Sequence, residues 1–275
     1  MRGESGGPIL RFHATGDWQG ERVRVRRVAS TWQGPPQVLE RIEAAWREAT
    51  ARPGVHLFDG PMCRLESWEA TPQHLSVALS ETSYKKFLGT NLTNPGLADR
   101  YGPSVLASPV GVSPALLTAD GYLMMGRRNA SVAYYPHRIH PFAGALDPAD
   151  ADPFEAIRRE LNEELGFAPE DVTDMRCTGV AEDVSIRQPE LIFFARANRT
   201  RAEVEAALDR TEHHDTWSVV AQAQEVAQAI EEAAAAAAGE GEFTPVGLAS
   251  LLLYGRIAFG EGWFARVGAV VTGGV

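Results

Sequence analysis

The chain has 275 residues, of which 44% are hydrophobic and 23% are charged, and its formal net charge is −10. This composition predicts a globular protein, and the acidic balance argues against a nucleic-acid-binding surface. No run of 18 apolar residues indicates a membrane span, and the N-terminus lacks the apolar segment of a secretory signal. The two cysteines, Cys63 and Cys177, have neither disulfide nor metal-binding spacing, which favours a cytoplasmic location.

Residues 1–104 have the pattern of a small α/β domain. Alternating apolar and polar residues predict strands, and an apolar stripe at helical spacing predicts a helix. Turn-forming residues at Thr71 and Pro72 separate two of the strands, and a polar, turn-rich segment closes the domain. The predicted elements are strands at 21–30, 63–70 and 74–82, a helix at 36–50, and a short helix or loop at 83–96.

Residues 105–275 form a second predicted domain. Two apolar runs joined at Asp120 and Gly121 are typical of a β-hairpin. Thr244 and Pro245 open an apolar helix that is predicted to be the last of the chain, because threonine caps helices well and proline is tolerated in the first turn. The other predicted elements are strands at 175–183 and 190–197 and helices at 201–210 and 221–238.

One helix of this domain has clear start and stop signals. Asp152 is the predicted N-cap, Pro153 occupies the first helical position, and Glu155 completes a capping box. Gly166 ends the helix in the way that a C′ glycine does. The sequence therefore predicts a helix that begins after Asp152 and ends before Gly166.

This helix carries three carboxylates in the stretch "RRELNEELGF" (158–167). Glu160, Glu163 and Glu164 are three and four residues apart, so they are neighbours on an arc beside the apolar face of the helix. A solvated acidic face would be the simplest explanation. Carboxylates at the rim of a core instead need a counter-charge, and Arg159 or a hard cation such as Mg²⁺ can supply it.

The stretch "RELNEELGF" resembles the second half of the Nudix box, written G-x5-E-x7-R-E-U-x-E-E-x-G-U, where U is a bulky apolar residue. All seven specified positions of that half are satisfied. The resemblance extends over roughly residues 105–270, and the fold that it implies is an α/β/α sandwich with a mixed sheet, preceded here by the smaller N-terminal α/β domain. The matching residues are Arg159, Glu160, Leu161, Glu163, Glu164, Gly166 and Phe167.

The first half of the box departs from the family pattern. Counted back from the box arginine, the glutamate position holds Ala151 and the glycine position holds Ala145. Gly144 is one residue too early, so the loop is predicted to be one residue longer than usual. Asp150 or Asp152 could stand in for the glutamate, although the cap already explains Asp152.

The resemblance implies hydrolysis of a nucleoside diphosphate linked to another moiety, with Mg²⁺ as cofactor and Mn²⁺ as the alternative. In this family the metal would be held by Glu160, Glu163 and Glu164, with the carbonyl of Gly144 as a further ligand. A bound water would attack one phosphorus, and a carboxylate would accept its proton. We assign catalysis to Glu163, Glu164 and Glu212. Candidates for the base are Glu164, Glu190, Glu212 and Asp215.

Basic side chains that flank the glycine loop are candidates for binding the phosphates or the sugar, because arginine suits bidentate contact with phosphate. Glu190, at the start of a predicted strand, is a further candidate for the substrate site. An ordinary surface position is the alternative for each of them. The basic candidates are Arg127, Arg128, His137 and Arg138.

The segment "ETSYKKFLGTNLTN" (81–94) is similar to a stretch upstream of the box in a Nudix subgroup that hydrolyses UDP-glucose and UDP-galactose. This resemblance implies that the segment lines the nucleotide or sugar pocket, and a packing loop is an equally good explanation. The residues concerned are Tyr84, Lys85, Gly89, Thr90 and Asn91.

The stretch "RTEHHDTWSVV" (210–220) places His213 and His214 between Glu212 and Asp215, before a predicted strand. Such a loop can carry the catalytic base or a further metal ligand, and a polar turn is the alternative. The spacing does not favour zinc, which would need a third and a fourth ligand at a recognised distance along the chain.

Together these features predict a Mg²⁺-dependent hydrolase of a nucleoside diphosphate sugar, with UDP-glucose or UDP-galactose favoured, that releases a nucleoside monophosphate and a sugar 1-phosphate. The alternatives are an ADP-ribose or ADP-sugar pyrophosphatase and a catalytically silent sugar-nucleotide sensor. We expect the partners to be the small-molecule substrate and a second copy of the chain in a homodimer, with no nucleic acid and no membrane.

Overall fold

The structure, a computed structural model, describes residues 8–52, 56–235 and 242–272. A larger mixed sheet lies between two layers of helices, and a smaller sheet stands beside it. The larger sheet contains β1 (Leu10–Trp18), β5 (Gly111–Leu117), β6 (Tyr122–Arg128), β7 (Ile139–His140), β8 (Gly144–Ala145), β9 (Val172–Asp183), β10 (Gln188–Ala197) and β11 (His213–Val220). The smaller sheet contains β2 (Val23–Arg27), β3 (Pro61–Ala70) and β4 (Leu75–Ser83). The helices are α1 (Pro36–Thr50), α2 (Tyr84–Phe87), α3 (Leu97–Tyr101), α4 (Pro153–Leu165), α5 (Arg201–Ala207), α6 (Ala223–Ala235), α7 (Pro245–Phe259) and α8 (Glu261–Thr272).

The three strands and the long helix predicted for the N-terminal region are confirmed, and the strands form the smaller sheet. Its strand order is β2-β4-β3, with β2 parallel and β3 antiparallel to β4. Helix α1 has the predicted bounds, and its buried Val38 and Ile42 pack against Val105 and Leu106. After α2 the chain forms one π-helical turn, Leu88–Leu92, where the sequence predicted a short helix or loop.

The larger sheet has the order β1-β9-β10-β5-β6-β11. Strands β5 and β10 are parallel, whereas β1–β9, β9–β10, β5–β6 and β6–β11 are antiparallel, so the sheet is mixed. Strand β1 is an edge strand of this sheet although it comes from the N-terminal region. The division of the chain into two domains at residue 104 stays a prediction. Strand β1 belongs to the first predicted domain by sequence but lies outside the smaller sheet.

Alternate residues of the central strands face opposite helix layers, which explains the sandwich. On β5, Leu116 packs in the cluster formed with α4, whereas Leu117 packs in the cluster formed with α6, α7 and α8. On β10, Phe193 and Phe194 divide in the same way. Every residue of β5 is buried, as expected for a strand with both faces covered. The predicted α/β/α sandwich with a mixed sheet is therefore confirmed.

The C-terminal helices differ from the prediction in one respect. Helix α7 begins after Thr244 as expected, but it is not the last helix, because the chain turns at Gly260 with φ of 93° and continues as α8. The predicted helix at 221–238 is α6, and residues 236–238 lie outside the described residues. Within the described residues, none of the helices has the length and apolarity needed to span a membrane.

Candidate active site

Helix α4 presents the carboxylates, and its ends are fixed by local hydrogen bonds. Asp152 is the N-cap, and its Oδ1 accepts from the backbone N–H groups of Phe154 and Glu155 at 2.8 and 2.9 Å. The Glu155 carboxylate accepts from the N–H of Ala151 at 2.6 Å, one residue before the predicted capping-box partner. Gly166 ends the helix with φ of 61°, as predicted. The start and the end of the box helix are thus set by its own sequence.

Asp150, one residue before the box position that holds Ala151, forms an ion pair with the box arginine. Arg159 donates to both of its carboxylate oxygens, from Nε to Oδ1 at 3.1 Å and from Nη2 to Oδ2 at 3.0 Å. The same guanidinium donates to the carbonyl oxygen of Ala145 at 3.1 Å and to Oε1 of Glu160 at 2.7 Å. Of the two candidates, Asp150 therefore serves as the ion-pair partner and Asp152 as the cap.

The three box glutamates have different surroundings. Glu160 and Glu164 are buried, whereas the side chain of Glu163 is 58% exposed. Burial raises the pKa of Glu160 to about 7, although Arg159 opposes the shift, and burial raises the pKa of Glu164 well above its usual value. A bound cation would stabilise the ionised form of these two adjacent buried carboxylates and would oppose the rise in their pKa values.

Gly144 lies against the Glu160 carboxylate. A side-chain Cβ at position 144 would come within 2.0 Å of Oε1 of Glu160, so any other residue there would displace the carboxylate from its present position. The short strand β8 pairs with β5, in the register Val112 to Gly144, and this pairing brings the glycine loop to α4. The predicted proximity of Gly144 to the glutamates is therefore observed, one residue from its usual place in the box.

These groups open into one cavity of about 530 Å³. Seven predicted site residues line it. Glu164 does not line it and lies buried behind Ala143. The predicted residues in the lining are Tyr84, Arg128, Gly144, Glu160, Glu163, Glu190 and Glu212.

The cavity has a polar wall built on β5 and β10. Glu190 is buried there, Ser113 Oγ donates to its Oε2 at 3.1 Å, and burial raises the pKa of Glu190 to about 8. Gln188 lies two residues earlier on the same strand and also lines the cavity. Hydroxyl, amide and carboxyl groups together on this wall can exchange hydrogen bonds with a polyhydroxylated ligand.

Another part of the cavity lining is apolar and mostly aromatic, and we call it the aromatic wall. Tyr84, Phe87 and Met62 come from the N-terminal region, and Tyr134 comes from the loop that follows β6. The rings of Phe87 and Tyr134 meet edge to face with centroids 6.2 Å apart. Sequence patterns did not identify Met62, Phe87 or Tyr134, because an apolar residue that lines a cavity looks like any other core residue.

Arg128 lies between these groups as an isolated buried cation. It is 6% exposed, its guanidinium stands 4.9 Å from the ring centroid of Tyr134, and its Nε has no hydrogen-bond partner. It forms no ion pair within the part of the chain that the structure describes. A buried guanidinium without a carboxylate partner is costly and is therefore a candidate for binding an anion.

Six predicted substrate-binding or base residues lie away from the cavity. Lys85 forms an ion pair with Glu43 at 2.6 Å, and Arg127 forms one with Glu242 at 2.5 Å. Arg138 lies over the ring of Tyr135, 5.3 Å from its centroid. The others are His137, whose ring packs against His214, the exposed Asp215, and Gly89, which packs against Ile42.

Thr90 and Asn91 were predicted to line the nucleotide or sugar pocket, and this prediction is corrected. Both residues are fully buried, and their polar atoms bind the protein itself. Thr90 Oγ1 accepts from the N–H of Ala107 at 3.0 Å, and Asn91 Oδ1 accepts from the N–H of Ser108 at 3.0 Å. Asn91 Nδ2 donates to the carbonyl oxygens of residues 186 and 187, each at 3.0 Å. The packing explanation of this segment therefore describes these two residues.

The carboxylates fit a divalent cation held partly by ligand and water. Among the side chains in residues 8–52, 56–235 and 242–272, no three carboxylates, imidazoles or thiols are grouped to hold one ion. However, Glu160 and Glu163 both face the cavity, and Oε2 of Glu164 is buried without a hydrogen-bond partner. Mg²⁺ commonly takes only one or two carboxylates and keeps water and phosphate oxygens as its other ligands.

Comparison with known proteins agrees with this geometry. Residues 108–242 match the NUDIX domain family model. The chain is similar to proteins named uridine diphosphate glucose pyrophosphatase NUDT22: it is 29% identical to the Bos taurus protein over 196 residues, 35% to the Homo sapiens protein over 141 residues and 27% to the Mus musculus protein over 249 residues. These matches cover 59%, 44% and 78% of this chain and 67%, 46% and 79% of the respective relatives.

Similarity to solved structures is weaker. A crystal structure of a Deinococcus radiodurans protein matches 53% of this chain and 80% of its own, with 18% identity and a TM-score of 0.39. The family assignment therefore rests on the match to the family model and on the box residues. Residues 108–242 thus form a domain of the Nudix family.

Proposed function

We propose that the protein hydrolyses the diphosphate of a nucleoside diphosphate sugar, preferably UDP-glucose or UDP-galactose, to a nucleoside monophosphate and a sugar 1-phosphate. Water adds to one phosphorus, the bridging P–O bond breaks, and the other phosphate leaves. The names of the mammalian relatives support this substrate class. The structural observation that best supports the proposal is Arg128. Its guanidinium is buried beside the α4 carboxylates without an ion-pair partner among the described residues, and it could bind a diphosphate.

Glu160 and Glu163 would hold Mg²⁺, which supplies charge neutralisation and a more acidic water when it is bound. Gly144 leaves the space that the Glu160 carboxylate occupies, and Arg159 fixes one oxygen of that carboxylate. Arg128 would contact the diphosphate. Glu212 lines the cavity and would accept the proton of the attacking water, and the buried Glu164, whose Oε2 has no hydrogen-bond partner among the described residues, would join Glu160 and Glu163 in holding the metal.

The two walls suit the two ends of a nucleotide sugar. The aromatic wall offers ring faces and edges to a planar base, and such contacts are favourable with any base. The polar wall offers Ser113, Gln188 and Glu190 to the hydroxyl groups of a sugar. Because burial raises the pKa of Glu190 to about 8, its carboxyl is protonated at neutral pH and can both donate and accept a hydrogen bond.

Product analysis tests the proposal. The protein is incubated with Mg²⁺ and UDP-glucose, UDP-galactose, ADP-ribose or a GDP-sugar, and the products are identified by ³¹P NMR. We expect UMP and the hexose 1-phosphate from the UDP-sugars at the highest kcat/KM. Preferred cleavage of ADP-ribose would move the substrate to the ADP class. Tight binding without turnover would support a sensor, and release of UDP with free sugar would contradict diphosphate hydrolysis.

Three sequence predictions accompany this proposal and are separate from it. A cytoplasmic location, a homodimer and the choice of Mg²⁺ over Mn²⁺ each rest on composition or on family resemblance. Gel filtration with light scattering tests the dimer, and activity measured across the two metals tests the cofactor.

A further inference from the structure

Two buried polar groups behind the cavity face each other without hydrogen-bond partners. His213 is 1% exposed, and neither of its ring nitrogens has a partner among the described residues. Oε2 of Glu164 is also buried, and it too has no hydrogen-bond partner in the described part of the chain. The distance from His213 Nδ1 to this oxygen is 3.9 Å, about 1 Å beyond an ordinary hydrogen bond. Buried polar groups are nearly always paired, so this pair requires an explanation.

The neighbouring strand is built to admit the histidine ring. Gly126 lies inside β6, and a Cβ at that position would come within 2.2 Å of the His213 ring. Glycine weakens a strand interior and commonly marks a close approach by another group. On another side, the ring of Phe142 meets the imidazole edge to face with centroids 5.6 Å apart. These contacts fix the imidazole beside Glu164.

The segment before His213 is also attached to α4. The N–H of Asp209 donates to the carbonyl oxygen of Glu164 at 2.7 Å. On the other side, Asn129 Nδ2 donates to the carbonyl oxygens of residues 210 and 211 at 2.8 and 2.9 Å. This segment carries Glu212 into the cavity. A contact between His213 and Glu164 would therefore join the last turn of α4 to the loop that holds the proposed base.

We infer that His213 is a positioning residue whose Nδ1–H donates a hydrogen bond to Oε2 of Glu164 and thereby holds both the carboxylate and the loop carrying Glu212. His213 does not line the cavity, so direct contact with the substrate does not explain its burial. The inference rests on the proposed function in treating Glu164 and Glu212 as parts of the hydrolytic site.

Three substitutions of His213 separate the position of the hydrogen-bond donor from the shape of the ring. In His213→Asn the amide nitrogen can take the place of Nδ1, whereas in His213→Gln it takes the place of Nε2, away from Glu164. His213→Phe keeps a flat ring without a donor. We expect His213→Phe and His213→Gln to lower kcat and Mn²⁺ affinity about 10–100-fold, with KM for UDP-glucose little changed, and His213→Asn to recover most of the loss.

A double-mutant cycle with Glu164→Met assigns the effect to the pair. Mn²⁺ affinity is measured by calorimetry, and thermal unfolding is followed with and without Mn²⁺. Once Glu164 is replaced, His213→Phe should have no further effect on Mn²⁺ affinity. Equal losses from His213→Phe in both backgrounds, or equal losses from His213→Asn and His213→Gln, would overturn the inference.

Two comparisons keep the outcome interpretable. His74→Phe makes the same change in the turn between β3 and β4, far from the cavity. It should change neither kcat nor Mn²⁺ affinity. Should the unmutated protein fail to cleave any nucleotide sugar, the proposed function would fail, yet the Mn²⁺ cycle would still report on the contact. Should His213→Phe not fold, the Asn and Gln variants still provide the test.

Discussion

Arg159 and Asp150 form a two-bond ion pair that joins the box loop to α4. The box motif would place a glutamate at residue 151, where this chain has alanine. Asp150, the residue before that position, is the carboxylate that pairs with the arginine in this chain. The guanidinium also binds the carbonyl oxygen of Ala145 and the carboxylate of Glu160, and it therefore holds three parts of the site together.

Asp150→Ala should lower both stability and activity. It removes two charge-assisted hydrogen bonds from a buried carboxylate, which we expect to lower the free energy of unfolding by about 2 kcal/mol. Arg159 would lose its anchor and hold Glu160 less well, so kcat should fall about 10-fold or more. Urea unfolding and steady-state kinetics on UDP-glucose check both effects.

Asp152→Ala is the matched control, because it changes an aspartate two residues away that only caps the helix. It should lower the free energy of unfolding by about 1 kcal/mol and leave kcat within about twofold. If both variants reduce kcat equally, the ion pair has no special role in the site.

Glu190→Gln should change the pH dependence of stability. The folded protein keeps the Glu190 proton up to a pKa of about 8, whereas the unfolded chain releases it above about pH 4.5. The folded state thus binds more protons in this window, and Glu190 lowers the stability of the unmutated protein by up to about 1.4 kcal/mol per pH unit as pH rises from about 4.5 to 8. The variant lacks this loss.

The measurement is urea unfolding of both proteins at pH 5 and pH 8.5. The stability of Glu190→Gln relative to the unmutated protein should be greater at pH 8.5 than at pH 5. A difference that is the same at both pH values would show that Glu190 ionises normally in the folded state.

Tyr84→Ala should raise KM for UDP-sugars about 10-fold, because a stacked aromatic side chain contributes about 1–3 kcal/mol to binding a base. Lys85→Ala is the neighbouring control, since Lys85 pairs with Glu43 and does not line the cavity. Its KM should stay within about twofold. Steady-state kinetics give the KM of both variants. A larger rise in KM from Lys85→Ala than from Tyr84→Ala would contradict the proposal that the aromatic wall binds the base.

Asn91→Ala should act on stability rather than on substrate binding. The variant leaves the N–H of Ser108 and two buried carbonyl groups without their partner, and we expect it to cost about 3 kcal/mol of unfolding free energy. Thermal unfolding measures this loss. A rise in KM without loss of stability would instead return Asn91 to the substrate site.

Local signals explain what could be predicted from the sequence. The cap at Asp152, the stop at Gly166 and the hairpin at Asp120 and Gly121 depend on neighbours along the chain, and all three are confirmed. The box glutamates followed from helical spacing combined with a family pattern. Glu190 and Glu212 were recognised because carboxylates before or at the start of a strand can reach a site at the edge of a sheet.

Long-range contacts explain the rest. Tyr134 enters the cavity because Phe87 and Arg128 pack against its ring, and neither contact can be read from residues near position 134. Thr90 and Asn91 looked functional because they are polar residues in a turn-rich segment, but their partners lie in distant loops. Pairing of β1 with β9 is another contact between segments far apart in the chain.

Anomalous diffraction from crystals soaked with Mn²⁺ and UMP tests the central claim most directly, namely that the carboxylates of α4 gather a divalent cation beside the nucleotide. We expect an anomalous peak inside the cavity from a manganese ion bound by Glu160 or Glu163 and by a phosphate oxygen, and we expect the peak to be lost in Glu160→Gln crystals. Manganese bound only outside the cavity, with both carboxylates free of it, would contradict the account.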